Sequence, residues 1–121
     1  MKTKILIIDD EEPIRKVLSA ALVDEGFQVQ SASNGIEGLL QLESFAPSIV
    51  LLDIWMPGEM DGMAVLKAMK EKTHDADVIM MSGHGTIETA VKATKLGAWD
   101  FLEKPLSIDR LAILINNLLQ F

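Results

Sequence analysis

Asp9 and Asp10 stand side by side directly after the apolar run Ile5–Ile8, and Asp53 directly follows Ile49–Leu52. Ser82 closes the run Val78–Met81, and Lys104 lies two residues beyond Trp99–Leu102. Adjacent carboxylates beside a third one repel, raise each other's pKa and cost stability unless a cation joins them. A small set of hard oxygens suits Mg²⁺, which keeps several waters and accepts a phosphate as co-ligand. A carboxylate is also a competent nucleophile toward phosphorus, yielding an acyl phosphate, provided the phosphoryl group is held in line and its charge neutralised. In such chemistry the acids hold Mg²⁺, Lys104 pairs with a phosphate oxygen and Ser82 donates a hydrogen bond. Taken singly, each residue has an ordinary reading. Glu11 and Glu12 read as dipole partners at the start of the first helix, Ser82-Gly83 as a turn, Asp53 as a loop acid and Lys104 as a surface lysine. The combination is far more specific than any member.

The elements that must position these groups alternate in period. Lys4–Ile8, Val29–Ala32, Ser48–Leu52, Val78–Met81 and Trp99–Leu102 have strand length, and three of them are almost wholly apolar, as in strands buried on both faces. Between them lie helical stripes. Ile14, Val17, Leu18, Ala21 and Leu22 recur at helical spacing behind Pro13 and before Gly26. Ile36, Leu39 and Leu40 follow Asn34, an N-cap with Glu37 three residues on. Met63–Met69 and Ile87–Leu96 come next, the latter closed by Gly97. Leu111, Leu114, Ile115, Leu118 and Leu119 form a last stripe behind Ser107 as cap. Five βα units predict a parallel sheet with right-handed crossovers and helices on both faces. In an open sheet of this kind ligands bind beyond the carboxyl ends of the strands, where strand order reverses. That is where the three acids, Ser82 and Lys104 fall.

The chain has 121 residues, 49% apolar and 24% charged, which predicts one domain with one core. The longest uninterrupted apolar run, Leu111–Ile115, is far short of the ~18 residues a membrane helix needs. No cysteine is present, which excludes a disulfide framework and thiolate chemistry, and the chain reads as cytoplasmic. Net charge is −7, concentrated in residues 1–60, where four bases face ten acids. An acidic chain gains nothing from counterion release, so direct nucleic-acid binding is not expected. His74 sits in a polar stretch, His84 reads as a loop residue beside the site, and the Met-rich run Met56, Met60, Met63, Met69, Met80 and Met81 reads as core filling.

Asp9-Asp10, Asp53 with Met56-Pro57-Gly58 and Asp61-Gly62 behind it, Ser82-Gly83 and Lys104-Pro105 together resemble the receiver domain of two-component response regulators over the whole chain. The stretch from His84-Gly85-Thr86 through Gly97-Ala98-Trp99-Asp100-Phe101-Leu102-Glu103-Lys104-Pro105 is most similar to receivers of nitrogen-regulatory, sigma-54-activator type. The resemblance implies a doubly wound (βα)5, flavodoxin-like parallel five-stranded sheet in order 2-1-3-4-5. It implies Asp53 as phosphoacceptor for a sensor histidine kinase, with Mg²⁺ bound directly by Asp10, through water by Asp9, and by Asp53 and the backbone carbonyl of Trp55. Lys104, aimed by a cis bond to Pro105, would contact the phosphoryl group. Ser82 would turn toward it, and Phe101 would move inward as the switch aromatic. The readout surface would be the fourth helix, fifth strand and fifth helix, with Trp99 and Phe101 on one face of the strand, serving a homodimer formed on phosphorylation. No metabolite turnover, membrane contact or nucleic-acid contact is expected of residues 1–121, which would be the N-terminal part of a longer transcription regulator.

Two departures bear on this. The loop after Asp53 is one residue longer than the usual Met-Pro-Gly-Met-Asp-Gly run, and the switch position holds Phe101, whose ring carries no hydroxyl to hydrogen-bond. Trp55, two residues past Asp53, is expected to shield an acyl phosphate from water. Three rival functions share the fold or the chemistry. A flavin or nucleotide binder would want a Gly/Ser/Thr-rich phosphate loop after the first strand, where Asp9-Asp10-Glu11-Glu12 stands instead. An aspartyl-phosphate phosphatase would want a general acid at position 55, which is Trp. A phosphorylation-independent interaction module is the remaining alternative.

Overall fold

The computed structural model describes residues 2–72, 75–83 and 86–120. Its elements alternate along the chain: β1 Lys4–Ile8, α1 Glu12–Asp24, β2 Gln28–Ala32, α2 Gly35–Phe45, β3 Ile49–Asp53, α3 Gly62–Glu71, β4 Asp77–Ser82, α4 Ile87–Lys95, β5 Asp100–Glu103 and α5 Ile108–Leu119. All strand pairs are parallel and the order is β2-β1-β3-β4-β5. The three apolar runs are the central strands, where both faces must be covered, and the less apolar β2 and β5 are the edges.

Period-two alternation divides the core into two layers. Leu6, Ile8, Val50, Leu52, Val78 and Met80 face Leu42 and Phe45 of α2, Val65, Leu66 and Met69 of α3 and Ala93 of α4. Ile5, Ile7, Ile49, Leu51, Ile79 and Met81 face Leu18 and Leu22 of α1 and Leu111, Ile115 and Leu118 of α5. Met56, Met69, Met80 and Met81 are buried, Met81 in the layer under α1 and α5, and Met60 and Met63 pack against the layer that holds the other three, as core filling requires.

Helix α2 departs from the stripe its sequence suggests. Ile36 and Leu40 are 51% and 68% exposed, and Gly35, Gly38, Leu42 and Phe45 form the buried face. The reason is close approach. A Cβ at Gly38 would sit 2.6 Å from Ile8 Cδ1, so glycine lets the helix backbone lie directly on β1. Val17 of α1 and Leu119 of α5, also placed on inward stripes, are exposed too. The expected caps are present: Asn34 accepts from Glu37 N and Ser107 from Arg110 N. Trp99 lies one residue before β5, its N–H donating to Val78 O at 2.7 Å.

Candidate functional site

Chain order reverses between β1 and β3, because β2 lies on one side of β1 and β3, β4 and β5 on the other. Ile8 pairs with Leu52, so the next residues, Asp9 and Asp53, come beside each other at the carboxyl ends of β1 and β3. Asp9, Asp10 and Asp53 each offer a carboxylate oxygen, all within 4.8 Å of one another. Asp9 and Asp53 are buried, whereas Asp10 reaches solvent. Fixed points hold this rim. Asp9 N–H donates to Ala32 O at 3.1 Å, and Arg15 Nη1 donates to Asp9 O at 2.8 Å. Ile54 N–H donates to Met81 O at 2.9 Å.

Lys104 arrives from the far side of the sheet. Its N–H donates to Ser82 O at 2.8 Å, and its peptide bond to Pro105 is cis. The ammonium, with the side chain 13% exposed, lies 2.8 Å from Asp9 Oδ2, 3.2 Å from Glu11 Oε2 and 3.4 Å from Asp53 Oδ1. The structure therefore gathers Asp9, Asp10, Asp53 and Lys104 at one rim. Ser82 is buried at the end of β4, one residue past the partner of Asp53. Phe101 is half-buried against the layer under α2, α3 and α4, and Trp55 is exposed on the loop after β3. His74 and His84 lie outside the described residues.

The electrostatics follow from that crowding. Burial, reinforced by the negative charge of Asp9, pushes the Asp53 carboxyl from 3.8 up to about 7, despite the opposing pull of Lys104. For Lys104, burial alone would lower the pKa. The short contact with Asp9 and the charges of Asp53 and Asp9 outweigh it and hold the ammonium above its ordinary value. Asp9 Oδ2 has no aligned hydrogen-bond donor although it is buried, so the site keeps a lone pair for a cation. An all-oxygen donor set with one member open to water fits Mg²⁺ better than a softer metal.

Other side chains shape the loop after β3. Gly62 starts α3 directly beneath the site: its N–H donates to Ile54 O at 2.8 Å, and a Cβ there would run into the carbonyl oxygen of Asp53. Asp61 caps α3 by accepting from Ala64 N at 2.9 Å. Gly58 takes a φ of +104° that turns the loop.

Glu11 corrects the sequence reading. Glu12 lies in the first turn of α1 and pairs with Lys16 at 3.0 Å. Glu11 occupies the N-cap position, makes no side-chain cap, and reaches across to Lys104. Arg15 was equally silent in the sequence. The Glu11 contact has no sequence signal, because it depends on the sheet order that brings the end of β5 to the rim beside β1, and Arg15 acts through the backbone carbonyl of Asp9, which any residue carries.

Residues 5–116 match the family described as the response regulator receiver domain. A putative NtrX-like response regulator of Rickettsia bellii is 49% identical over 113 residues, covering 93% of this chain and 24% of that protein. The DNA-binding transcriptional regulator NtrC of Escherichia coli K12 is 40% identical over 112 residues, again 93% of this chain and 24% of that protein. The crystal structure of the receiver domain of NtrX from Brucella abortus superposes with a TM-score of 0.89 at 42% identity, covering 96% of this chain and 98% of that one. The chain thus spans about a quarter of the length of the curated relatives it matches.

Proposed function

The chain belongs to the response regulator receiver domain family of two-component systems, within the NtrX- and NtrC-related group of sigma-54 activators, and we propose that it acts there as a phosphorylation-driven switch whose acceptor is Asp53. The observation that carries this reading is the placement of the Asp53 carboxylate between two further acids and the ammonium of Lys104, 3.4 Å away.

An oxygen of Asp53 attacks the phosphorus of a phosphohistidine on a sensor histidine kinase. The new O–P bond forms as the P–N bond breaks, and the electron pair leaves with the imidazole, which takes its proton from water. Asp9, Asp10, Asp53 and the Trp55 carbonyl are the residues that would hold Mg²⁺, and the ion supplies charge neutralisation for the transferring phosphoryl group. Lys104 pairs with a phosphoryl oxygen and Ser82 donates to another. The chemistry modifies the domain itself and turns over no metabolite. A groove of about 510 Å³ beside Lys104, walled by Pro13, Ile14, Val17, Leu106 and Ile108, suits an apolar helix carrying the phosphohistidine.

The switch is read out on the far side. Only Ala93 of α4 is fully buried, so this helix is shallowly anchored, and Ile87 at its start is 86% exposed. Phosphorylation draws Ser82 toward the phosphate and Phe101 inward, shifting α4 against β5 and α5. Ile87, Val91, Trp99 and Ile113 then offer an apolar face for a second copy, and the signal passes to a transcription-regulating part such as the relatives'. The test is intact mass after incubation with Mg²⁺ and acetyl phosphate, beside an Asp53→Asn control. One added phosphoryl group requiring both Mg²⁺ and Asp53 is expected. A folded, Mg²⁺-binding domain that takes none from acetyl phosphate or from a phosphorylated kinase would refute the switch and leave an interaction module.

A further inference from the structure

We propose that Glu11 is a positioning residue for the phosphoryl transfer. Its carboxylate occupies the N–H of Lys104 that an incoming phosphoryl group must take, so the donor enters by displacing Glu11. The proposal rests on Asp53 being the phosphoacceptor.

Three observations lead to it. First, three carboxylates surround the Lys104 ammonium, from Asp9 at 2.8 Å, Glu11 at 3.2 Å and Asp53 at 3.4 Å, and Glu11 is the one that accepts a hydrogen bond from it in aligned geometry. A phosphoryl oxygen that takes this N–H must displace Glu11. Second, the three are not equally free to leave. Asp9 is buried, and without Lys104 its charge would be stranded. Asp53 is the attacking group. Glu11 has 56% of its side chain exposed and can exchange the ammonium for water at little cost. Third, Glu11 stands at a helix N-cap, where Ser, Thr, Asp or Asn usually accept from the first turn, yet it makes no such bond. Its backbone N–H is instead held by Asp9 Oδ1 at 2.9 Å, and its side chain is the hydrogen-bond partner of a lysine 93 positions away.

A carboxylate that competes with the donor for Lys104 weakens donor binding in the ground state and leaves the bound complex unchanged. Its removal therefore lowers the donor concentration for half-maximal rate while the maximal rate stays put. An exposed ion pair of this kind corresponds to roughly a 1.5- to 5-fold change. The experiment follows phosphorylation of this chain by acetyl phosphate at saturating Mg²⁺, read as intact mass against time over a range of donor concentrations. Glu11→Gln removes charge and contact together. Glu11→Asp keeps the charge but is one methylene too short to reach Lys104. Glu12→Gln removes the next charge along the chain, which pairs with the exposed Lys16 instead.

The half-saturating donor concentration is expected to fall for Glu11→Gln and Glu11→Asp alike, with maximal rates unchanged and Glu12→Gln matching the parent. A shift in Glu11→Gln but not in Glu11→Asp would mean that charge alone acts, and would overturn the proposal. So would unaltered half-saturation in both Glu11 variants, or a change confined to the maximal rate. A parent chain that takes no phosphoryl group refutes the acceptor reading itself, which separates that failure from the failure of Glu11.

Discussion

Replacing Asp53 by Asn should make the metal-free domain more stable, by an amount set by pH. The folded carboxyl titrates at about 7 and the unfolded one at 3.8. Between those values the folded chain holds a proton that the unfolded chain has released, so stability falls as pH rises through this window. Below about pH 4 both states are protonated and the penalty is absent; above about pH 7 it is fully present. Three pKa units at 1.36 kcal/mol each give a ceiling of about 4 kcal/mol. Solvent reaching the site past Asp10 screens the charge, so roughly 1–3 kcal/mol is the expected gain at pH 8, against a total stability of about 5–15 kcal/mol for a domain. Asn keeps the shape and can still accept from Lys104. The assay is urea unfolding of parent and Asp53→Asn at pH 4 to 8.5 in chelator, where the difference cancels the other titrating groups. With each kcal/mol worth roughly 3–6 °C at this chain length, thermal melting reads the same gap. Mg²⁺ should close the gap, since a ligand at a hundred times its Kd stabilises the parent by about 2.7 kcal/mol. A gap independent of pH, or an Asn variant less stable at pH 8, would refute the claim that burial and Asp9 penalise the Asp53 charge.

Other substitutions probe the same rim. Lys104→Ala should destabilise by roughly 3–5 kcal/mol in urea unfolding, because it strands Asp9 and Asp53 as buried acids; a loss below 1 kcal/mol would mean that the ion pairs are well solvated. Gly62→Ala forces a methyl against the Asp53 carbonyl and should cost about 1–3 kcal/mol by the same measurement, with lowered phosphorylation. Trp55→Ala should shorten the lifetime of the phosphorylated domain, followed by intact mass after donor removal. A variant that loses its phosphate no faster than the parent would show that the indole leaves the site open to water.

The alternation of strand and helix was legible because a doubly covered strand can only be apolar. Ile5–Ile8, Ile49–Leu52 and Val78–Met81 therefore announced the central strands. The acids were legible because each directly follows such a run and so falls at a strand's carboxyl end. Helix faces were read less well. The stripe of α2 was assigned by side-chain size, whereas Gly38 won the buried face by allowing the backbone to approach Ile8.

By itself, then, the chain determined its element order, a sheet covered by helices on both faces and the candidates Asp9, Asp10, Asp53, Ser82 and Lys104, since all of these rest on local pattern and spacing. Strand order, read only through family resemblance, decided the rest. Placing β1 between β2 and β3 set Asp9 beside Asp53 and lifted the Asp53 pKa, an effect of burial and neighbouring charge. The same packing carried Lys104 across to Glu11, recruiting to the site a glutamate whose sequence context marked it as a helix start. Contacts between residues 93 positions apart leave no local pattern, so only the folded chain reveals them.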